Sequence, residues 1–119
     1  MRFMTMVKAA ETSTPPPRAL MDAIDRLGQE AAKEGVIVQM GGLYPSAAGA
    51  RMRLSKGKIV VTDGPFTEAK EVIGGFAVYD VPSKEEALAW TRRFLELHER
   101  HWKGWEGEVE IRRLFDGQP

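Results

Sequence analysis

Residues 72–86 read VIGGFAVYDVPSKEE, and this stretch decides the fold because a strand pattern in it leads directly into a helix start. Its first ten residues are mostly apolar, rich in β-branched and aromatic side chains, and closed by Pro82, which predicts a central strand. Ser83, with Glu86 three residues later, forms a capping box. A helix is therefore predicted from Ser83 to about residue 101 or 102.

The same strand and helix patterns occur upstream, and one more strand follows downstream. Three prolines at 15–17 precede a run of helical apolar spacing that ends at Gly35, and Lys56-Gly57 forms the tight turn of a hairpin. The predicted elements are strand 2–8, helix 18–34, strand 36–40, hairpin strands 51–55 and 58–62, strand 72–81, helix 83–101 and strand 108–115. This order predicts an α+β fold of the ferredoxin-like split βαβ kind, with an inserted β-hairpin.

Length and composition favour a single domain that spans residues 1–119. Lys plus Arg and Asp plus Glu both total 17, so the chain has no overall field that would attract nucleic acid or an anionic membrane. The absence of cysteine excludes disulfides and thiolate catalysis, and no apolar run is long enough to span a membrane. These features predict a cytoplasmic protein with no direct nucleic-acid contact.

Each predicted helix has one apolar arc, so both are expected on one face of a mostly antiparallel sheet. The strands then carry more apolar residues than one face of a small sheet can use. They are Met4, Met6, Met40, Met52, Phe76, Val78 and Tyr79. An uncovered apolar sheet face usually marks an interface, which predicts a homodimer packed sheet against sheet.

Residues 62–71 hold a turn-rich segment that resembles a known family. Asp63-Gly64-Pro65-Phe66, followed by charged residues and by Gly74-Gly75-Phe76, is similar to the signature of the DGPF group of YCII-related proteins. The resemblance covers nearly the whole chain and implies a dimeric α+β barrel. It also implies an association with extracytoplasmic-function sigma factors, since genes of the group often neighbour theirs. The His and Asp pair proposed for enzyme-like YCII relatives has no matching position here, since the first helix and second strand lack histidine.

The signature segment offers the first candidate site residues. Asp63-Gly64-Pro65 is typical of a rigid corner at a strand end, and the same Asp63 carboxylate could act as a base in a cleft with Phe66 as one wall. Lys70 and Arg53 could hold an anionic group of a ligand, although charged residues on loops and hairpins are commonly only solvated. Arg53, Phe66, Lys70 and Met40 form the predicted ligand-binding set, and Asp63 is a predicted catalytic residue.

His98 and His101 are the only histidines, and His98 falls in the middle of the apolar arc of its helix. It is predicted either as a hydrogen-bonded core residue or as an acid or base that faces the cleft. Two histidines three residues apart without cysteine give little support for a metal, and no glycine fingerprint for a nucleotide is present. No metal and no cofactor are therefore predicted. Trp102 and Trp105 are expected to line either a pocket or the dimer contact.

Two functions agree with these patterns. The first is a small enzyme that transfers a proton on an acidic or lactone-like molecule, with Asp63 or a histidine as the base. The second is a non-catalytic dimeric module that binds a small ligand or a protein partner.

Overall fold

The computed structural model describes residues 1–117 of the chain. It contains two α-helices, six strands and one short 3-10 turn. In chain order they are β1 (Arg2–Ala9), α1 (Arg18–Lys33), β2 (Ile37–Gly42), the 3-10 turn (Ser46–Ala48), β3 (Ala50–Ser55), β4 (Lys58–Asp63), β5 (Val72–Asp80), α2 (Lys84–His101) and β6 (Glu108–Arg113).

Four of the strands form one antiparallel sheet in the order β2-β5-β1-β6, and β3 pairs only with β4. The two β-α-β units interleave in this sheet. Its two central strands, β1 and β5, lead along the chain into α1 and α2 respectively. The ferredoxin-like α+β fold with an inserted hairpin is thus confirmed, and the strand at 72–80 is central as predicted.

Local chemistry explains where the elements begin and end. Ser83 caps α2, because its hydroxyl oxygen accepts the Glu86 N–H at 3.2 Å. Gly35 ends α1 with a φ of 72°, a left-handed conformation that side chains disfavour. Lys56 and Gly57 both have positive φ, at 51° and 77°, which matches the twist of a two-residue hairpin turn. The predicted helix and strand ends hold to within two residues.

Both helices cover the same face of the sheet, and the core lies between them. Trp90 of α2 stacks on Tyr79 of β5 with ring centroids 6.1 Å apart, which places its ring in the core. Eight buried residues form this core, namely Phe3, Leu27, Ala31, Ala77, Tyr79, Val81, Ala87 and Trp90. No helix in residues 1–117 is long and apolar enough to cross a membrane.

The surplus of apolar strand residues divides between the two sheet faces. Met40 pairs with Ala77 on the helix side, where Tyr79 also lies. Met4 pairs with Val78 and Met6 with Phe76, and alternation turns these four to the opposite face. No helix in the described chain covers that opposite face, which we call the open sheet face.

The β3–β4 hairpin stands apart from the sheet, and all twelve of its strand residues are exposed. Its pairing gives it one apolar face, which we call the apolar arm face, made of Met52, Leu54, Ile59 and Val61. The other face carries Arg51, Arg53, Lys58, Thr62 and Val60. The radius of gyration is 16.0 Å, whereas about 13.5 Å is typical of a compact domain of this length. The hairpin projects as an arm.

Candidate functional site: a cavity between the helices and the sheet

A cavity of about 830 Å³ lies between the sheet and the two helices. Glycine creates part of this space, because Gly42 pairs with Gly75 across β2 and β5 and neither has a side chain to fill it. A side chain at Gly75 would also approach the carbonyl oxygen of Gly41, with its Cβ at 3.2 Å. Volumes of roughly 300 to 1,000 Å³ are usual for small-molecule sites. The paired glycines therefore leave room for a ligand on the helix side of the sheet.

His98 and Tyr79 are buried titratable side chains in the wall of the cavity, with 6% and 5% of their surfaces exposed. The Nδ1 atom of His98 lies 3.0 Å from the carbonyl oxygen of Phe94 and must donate to it, because a carbonyl can only accept. The Nε2 atom is then left with a lone pair and has no protein partner among residues 1–117. Since no buried side-chain nitrogen or oxygen lacks a partner in that part of the chain, Nε2 must open into the cavity.

Burial also lowers the pKa of the His98 imidazole, and the hydrogen bond to the Phe94 carbonyl opposes that change only in part. The neutral form is therefore favoured at neutral pH. A neutral imidazole with a fixed Nδ1–H presents Nε2 as a hydrogen-bond acceptor or as a base.

Aromatic rings surround His98. The His98 ring lies 4.6 Å from the ring of Phe94 and 4.4 Å from that of Trp105, measured between centroids. Trp102 stacks on Trp105 with ring centroids 6.3 Å apart. Both tryptophans line the cavity, which is one of the two roles predicted for them. Trp105 lies against Gly107, where a Cβ would come within 2.3 Å of the indole ring. This group of rings is called the aromatic wall below.

The two threonine hydroxyls in the cavity have their protons committed to the backbone, whereas no hydrogen bond within residues 1–117 engages the Tyr79 hydroxyl. Thr5 Oγ1 donates to the Ala77 carbonyl at 3.1 Å, and Thr91 Oγ1 donates to the Ala87 carbonyl at 2.9 Å. Neither hydroxyl has a second proton, so each can only accept a further hydrogen bond. Among the described residues that line the cavity, none is Lys or Arg, and Asp25 on α1 is the one carboxylate.

The signature segment forms a corner at the base of the arm. Gly64 lies against the 3-10 turn so closely that a Cβ there would be 1.6 Å from the Ser46 carbonyl oxygen. The Gly64-Pro65 peptide bond is cis. Phe66 N–H donates to Ser46 Oγ at 3.0 Å, which joins the segment after β4 to the turn before β3.

Glu11 completes this corner from the segment that follows β1. Its two carboxylate oxygens accept hydrogen bonds from Ser46 Oγ and from the Ser46 N–H, both at 2.6 Å. These bonds lower the pKa of the Glu11 carboxyl group. On the outer side, the Arg51 guanidinium lies 3.9 Å above the Phe66 ring and pairs with Glu68. We call the Glu11, Ser46, Gly64 and Phe66 contacts the corner clamp.

The structure places the six predicted site residues in different parts of the molecule. Met40 and His98 line the cavity, and Phe66 belongs to the corner clamp. Asp63, Arg53 and Lys70 are exposed, and no hydrogen bond or ion pair within residues 1–117 reaches their side chains. One chain therefore does not bring Asp63 together with His98, and it gives the cavity no cation to hold an anionic ligand.

Sequence analysis did not predict two residues of the corner clamp, Glu11 and Ser46. Glu11 begins a polar run, and Ser46 follows Pro45 in a segment without periodicity. A buried Ser next to Pro in a short loop is the only local signal. No cluster of three or more His, Asp or Glu able to hold a metal occurs in the described part of the chain.

Comparison with known proteins gives two findings. The sequence model of the YCII-related domain matches residues 1–99. A curated uncharacterized protein of Rhizobium meliloti (strain 1021) is 40% identical over 72 residues, which cover 60% of this chain and 56% of that relative. The chain thus spans a little over half the length of the curated relative that it matches.

Proposed function

For this member of the YCII-related family, we propose that a small molecule binds in the cavity and that His98 serves there as a general base. The proton would pass from a carbon or oxygen of the ligand to Nε2, which becomes imidazolium and returns the proton to another ligand atom. Such a rearrangement consumes no cofactor and leaves no net charge on the protein.

The position of His98 carries this proposal. Its ring is held by a hydrogen bond on one nitrogen and by tilted contacts with two neighbouring rings, while the other nitrogen opens into an 830 Å³ cavity. A base must be oriented and neutral before it can accept a proton, and burial favours the neutral form.

Hydrogen exchange would test the proposal. Small carbon acids and lactones are incubated with the protein in D₂O, and NMR detects loss of their carbon-bound proton signals. We expect His98→Gln to abolish exchange, since Gln keeps a polar amide but is not a base, and His101→Gln to retain it. Exchange that survives in His98→Gln would exclude His98 as the base.

The second candidate is a non-catalytic ligand-binding module. It is favoured by the lack of a second carboxylate or imidazole in the buried wall, since Asp25 is on the exposed side of α1 and burial raises the pKa of the Tyr79 hydroxyl. Ligands that stabilise the protein against thermal unfolding, without any exchange that depends on His98, would select this candidate.

We also propose that two copies of the chain associate through the open sheet face and the apolar arm face. The open sheet face has an apolar centre of Met4, Met6, Phe76 and Val78. Ion pairs border it, such as Lys8 with Glu110 at 2.8 Å and Arg2 with Asp80 at 3.8 Å. An apolar centre with a polar rim is the usual anatomy of a protein interface.

The stability of the arm supports the same proposal. A two-stranded hairpin alone is marginally stable in water, and Met52 and Leu54 on its apolar face are 72% and 71% exposed. Residues 63–66 fit the DGPF group, and an associated sigma factor would be the competing occupant of this surface. Sedimentation of the isolated protein at micromolar concentration should show a dimer, whereas a monomer that assembles only with the sigma factor would favour the competitor.

A further inference from the structure

We infer that the cavity takes an uncharged, largely apolar ligand that donates a hydrogen bond to His98, such as a hydroxylated aromatic molecule. This inference rests on the proposed function and narrows it to one chemical class. Three observations carry it: the charges around the cavity, the direction of its hydrogen-bonding groups and the nature of its walls.

The charges disfavour an anion. Lys and Arg are missing from the described lining, and its single carboxylate, Asp25, would repel a carboxylate or phosphate. His98 lies in the last turn of α2, where the helix dipole places partial negative charge. At the start of α1, the Leu20 and Met21 amides that line the cavity already donate to the Pro17 carbonyl. An anion would therefore lose its water without gaining a cationic partner.

The acceptors that face the ligand are His98 and two threonines. His98 Nε2 has its lone pair free, and the hydroxyl protons of Thr5 and Thr91 are committed to backbone carbonyls. Donor groups in the same lining belong to Gln29, Tyr79 and the tryptophans of the aromatic wall. A ligand that carries a hydroxyl or N–H group satisfies the His98 acceptor, whereas a ligand with acceptors alone leaves it unpaired.

The walls are apolar and partly aromatic. The aromatic wall supplies flat surfaces at one end of the cavity, and Leu20, Ile24 and Met40 supply aliphatic ones elsewhere. Aromatic rings stack or pack edge to face at such walls, with centroids about 4.5 to 7 Å apart. A planar apolar body with a single donor group therefore fits both the walls and the acceptors.

Three matched probes test the inference in the intact protein: naphthalene, 2-naphthol and 2-naphthoate. Affinities are measured by protein-detected NMR titration, with the indole N–H signals of Trp102 and Trp105 reporting occupancy of the cavity. We expect 2-naphthol to bind about tenfold more tightly than naphthalene, the value of one good hydrogen bond, and 2-naphthoate to bind more weakly than either.

The variant His98→Leu removes the acceptor and keeps an apolar side chain of similar size. We expect the preference for 2-naphthol over naphthalene to disappear in it while the naphthalene affinity persists, which shows that the cavity is intact. In the wild-type protein the same preference should decline as the pH falls, because protonated imidazole has no lone pair at Nε2.

Three results would overturn the inference: tighter binding of 2-naphthoate than of 2-naphthol, a preference that survives both His98→Leu and acid, or no cavity signal that responds to any probe. Tight naphthoate binding would leave the cavity as a small-molecule site with a different ligand class. The exchange assay in D₂O tests the base role independently, so failure of one proposal is distinguishable from failure of the other.

Discussion

His98 has the buried, hydrogen-bonded role that its position in the helix pattern predicted, and it lines the cavity, while its action as an acid or base stays a prediction. It is a buried residue whose Nδ1 is hydrogen-bonded within α2, and it also lines the cavity. These roles are compatible because the two ring nitrogens are separate groups, one directed along the helix and one directed away from it. The apolar spacing of α2 was enough to place the ring on the inner face. It carried no information on which nitrogen would remain free.

Stability should depend on pH through His98. Burial lowers the pKa in the folded state below the ordinary value near 6.5, so the unfolded chain binds this proton more readily. The contribution is therefore fully present above the unfolded pKa and is lost as the pH falls below it. Between pH 7.5 and 5.5, we expect the free energy of unfolding in urea to fall more steeply in the wild type than in His98→Leu. Equal slopes in the two proteins would contradict a depressed pKa.

Gly107 should be intolerant of a side chain because Trp105 occupies the adjacent space. In Gly107→Ala, the new methyl group would meet the indole ring at 2.3 Å and the Lys8 carbonyl oxygen at 2.9 Å. We expect a loss of about 1 to 3 kcal/mol in the free energy of unfolding, with displaced Trp105 signals and weaker ligand binding. Gly42→Ala is the control for stability alone, since open space surrounds that position but Gly42 itself lines the cavity. Unchanged tryptophan fluorescence in Gly107→Ala would argue against this packing.

At the level of elements, the corner clamp gives the signature segment a structural explanation. Gly64 is required by the close approach of the Ser46 carbonyl, and Phe66 is held through the Ser46 hydroxyl. Because β3 and β4 pair with no other strand, these contacts join both ends of the arm to the segment after β1. The signature thus fixes where the arm leaves the domain.

Ser46→Ala should loosen the arm while leaving the four-stranded sheet intact. The change removes the hydroxyl that links Glu11 to the Phe66 N–H and leaves that half-buried amide without its partner. We expect the unfolding free energy to fall by about 1 to 3 kcal/mol and amide exchange to accelerate in residues 50–63. Ser55→Ala, at an exposed site on β3, should change neither. Exchange rates in the arm that match those of wild type would show that the clamp does not restrain it.

The elements were predictable from sequence because their signals are local and repeated. Alternation in the strands, the helical period, the Ser83 cap and the Lys56-Gly57 turn each act within a few residues. The corner clamp was not predictable, since Glu11 lies 35 residues before Ser46, Phe66 lies 20 residues after it, and none of them belongs to a periodic pattern. For the same reason Asp63 was grouped with His98 by chemical type, although the fold separates the arm base from the cavity.

The whole molecule is flat, with principal extents of 45, 41 and 18 Å. A single sheet with helices on one side accounts for the short dimension, and the arm increases one of the two long dimensions. This shape leaves the apolar arm face exposed to water and the open sheet face without a covering helix, although Val78 at the centre of that face is only 8% exposed. A second copy would cover both if the contact is symmetric, because each surface then meets its counterpart on the partner.

Val60 and Val61 offer a matched test of that assembly. They are neighbours of the same type on β4 with 56% and 57% exposure, but only Val61 lies on the apolar arm face. Val61→Lys should weaken dimerisation at least about tenfold, because a charge would be buried at the interface, whereas Val60→Lys should leave it unchanged. Sedimentation velocity over a concentration series measures both. Equal effects, or none, would remove the arm from the interface.

The corner clamp also has a mechanical consequence. An arm of six residues extends about 20 Å from its base at roughly 3.3 Å per residue, so it acts as a lever with its pivot at Gly64. A swing of 10° at that pivot moves the tip by about 3.5 Å, close to one residue of strand register. The four short contacts of the corner clamp thus determine how precisely the tip of the arm is positioned. Whether a partner surface fits the tip would depend on the stiffness of the corner clamp, which that surface does not contact.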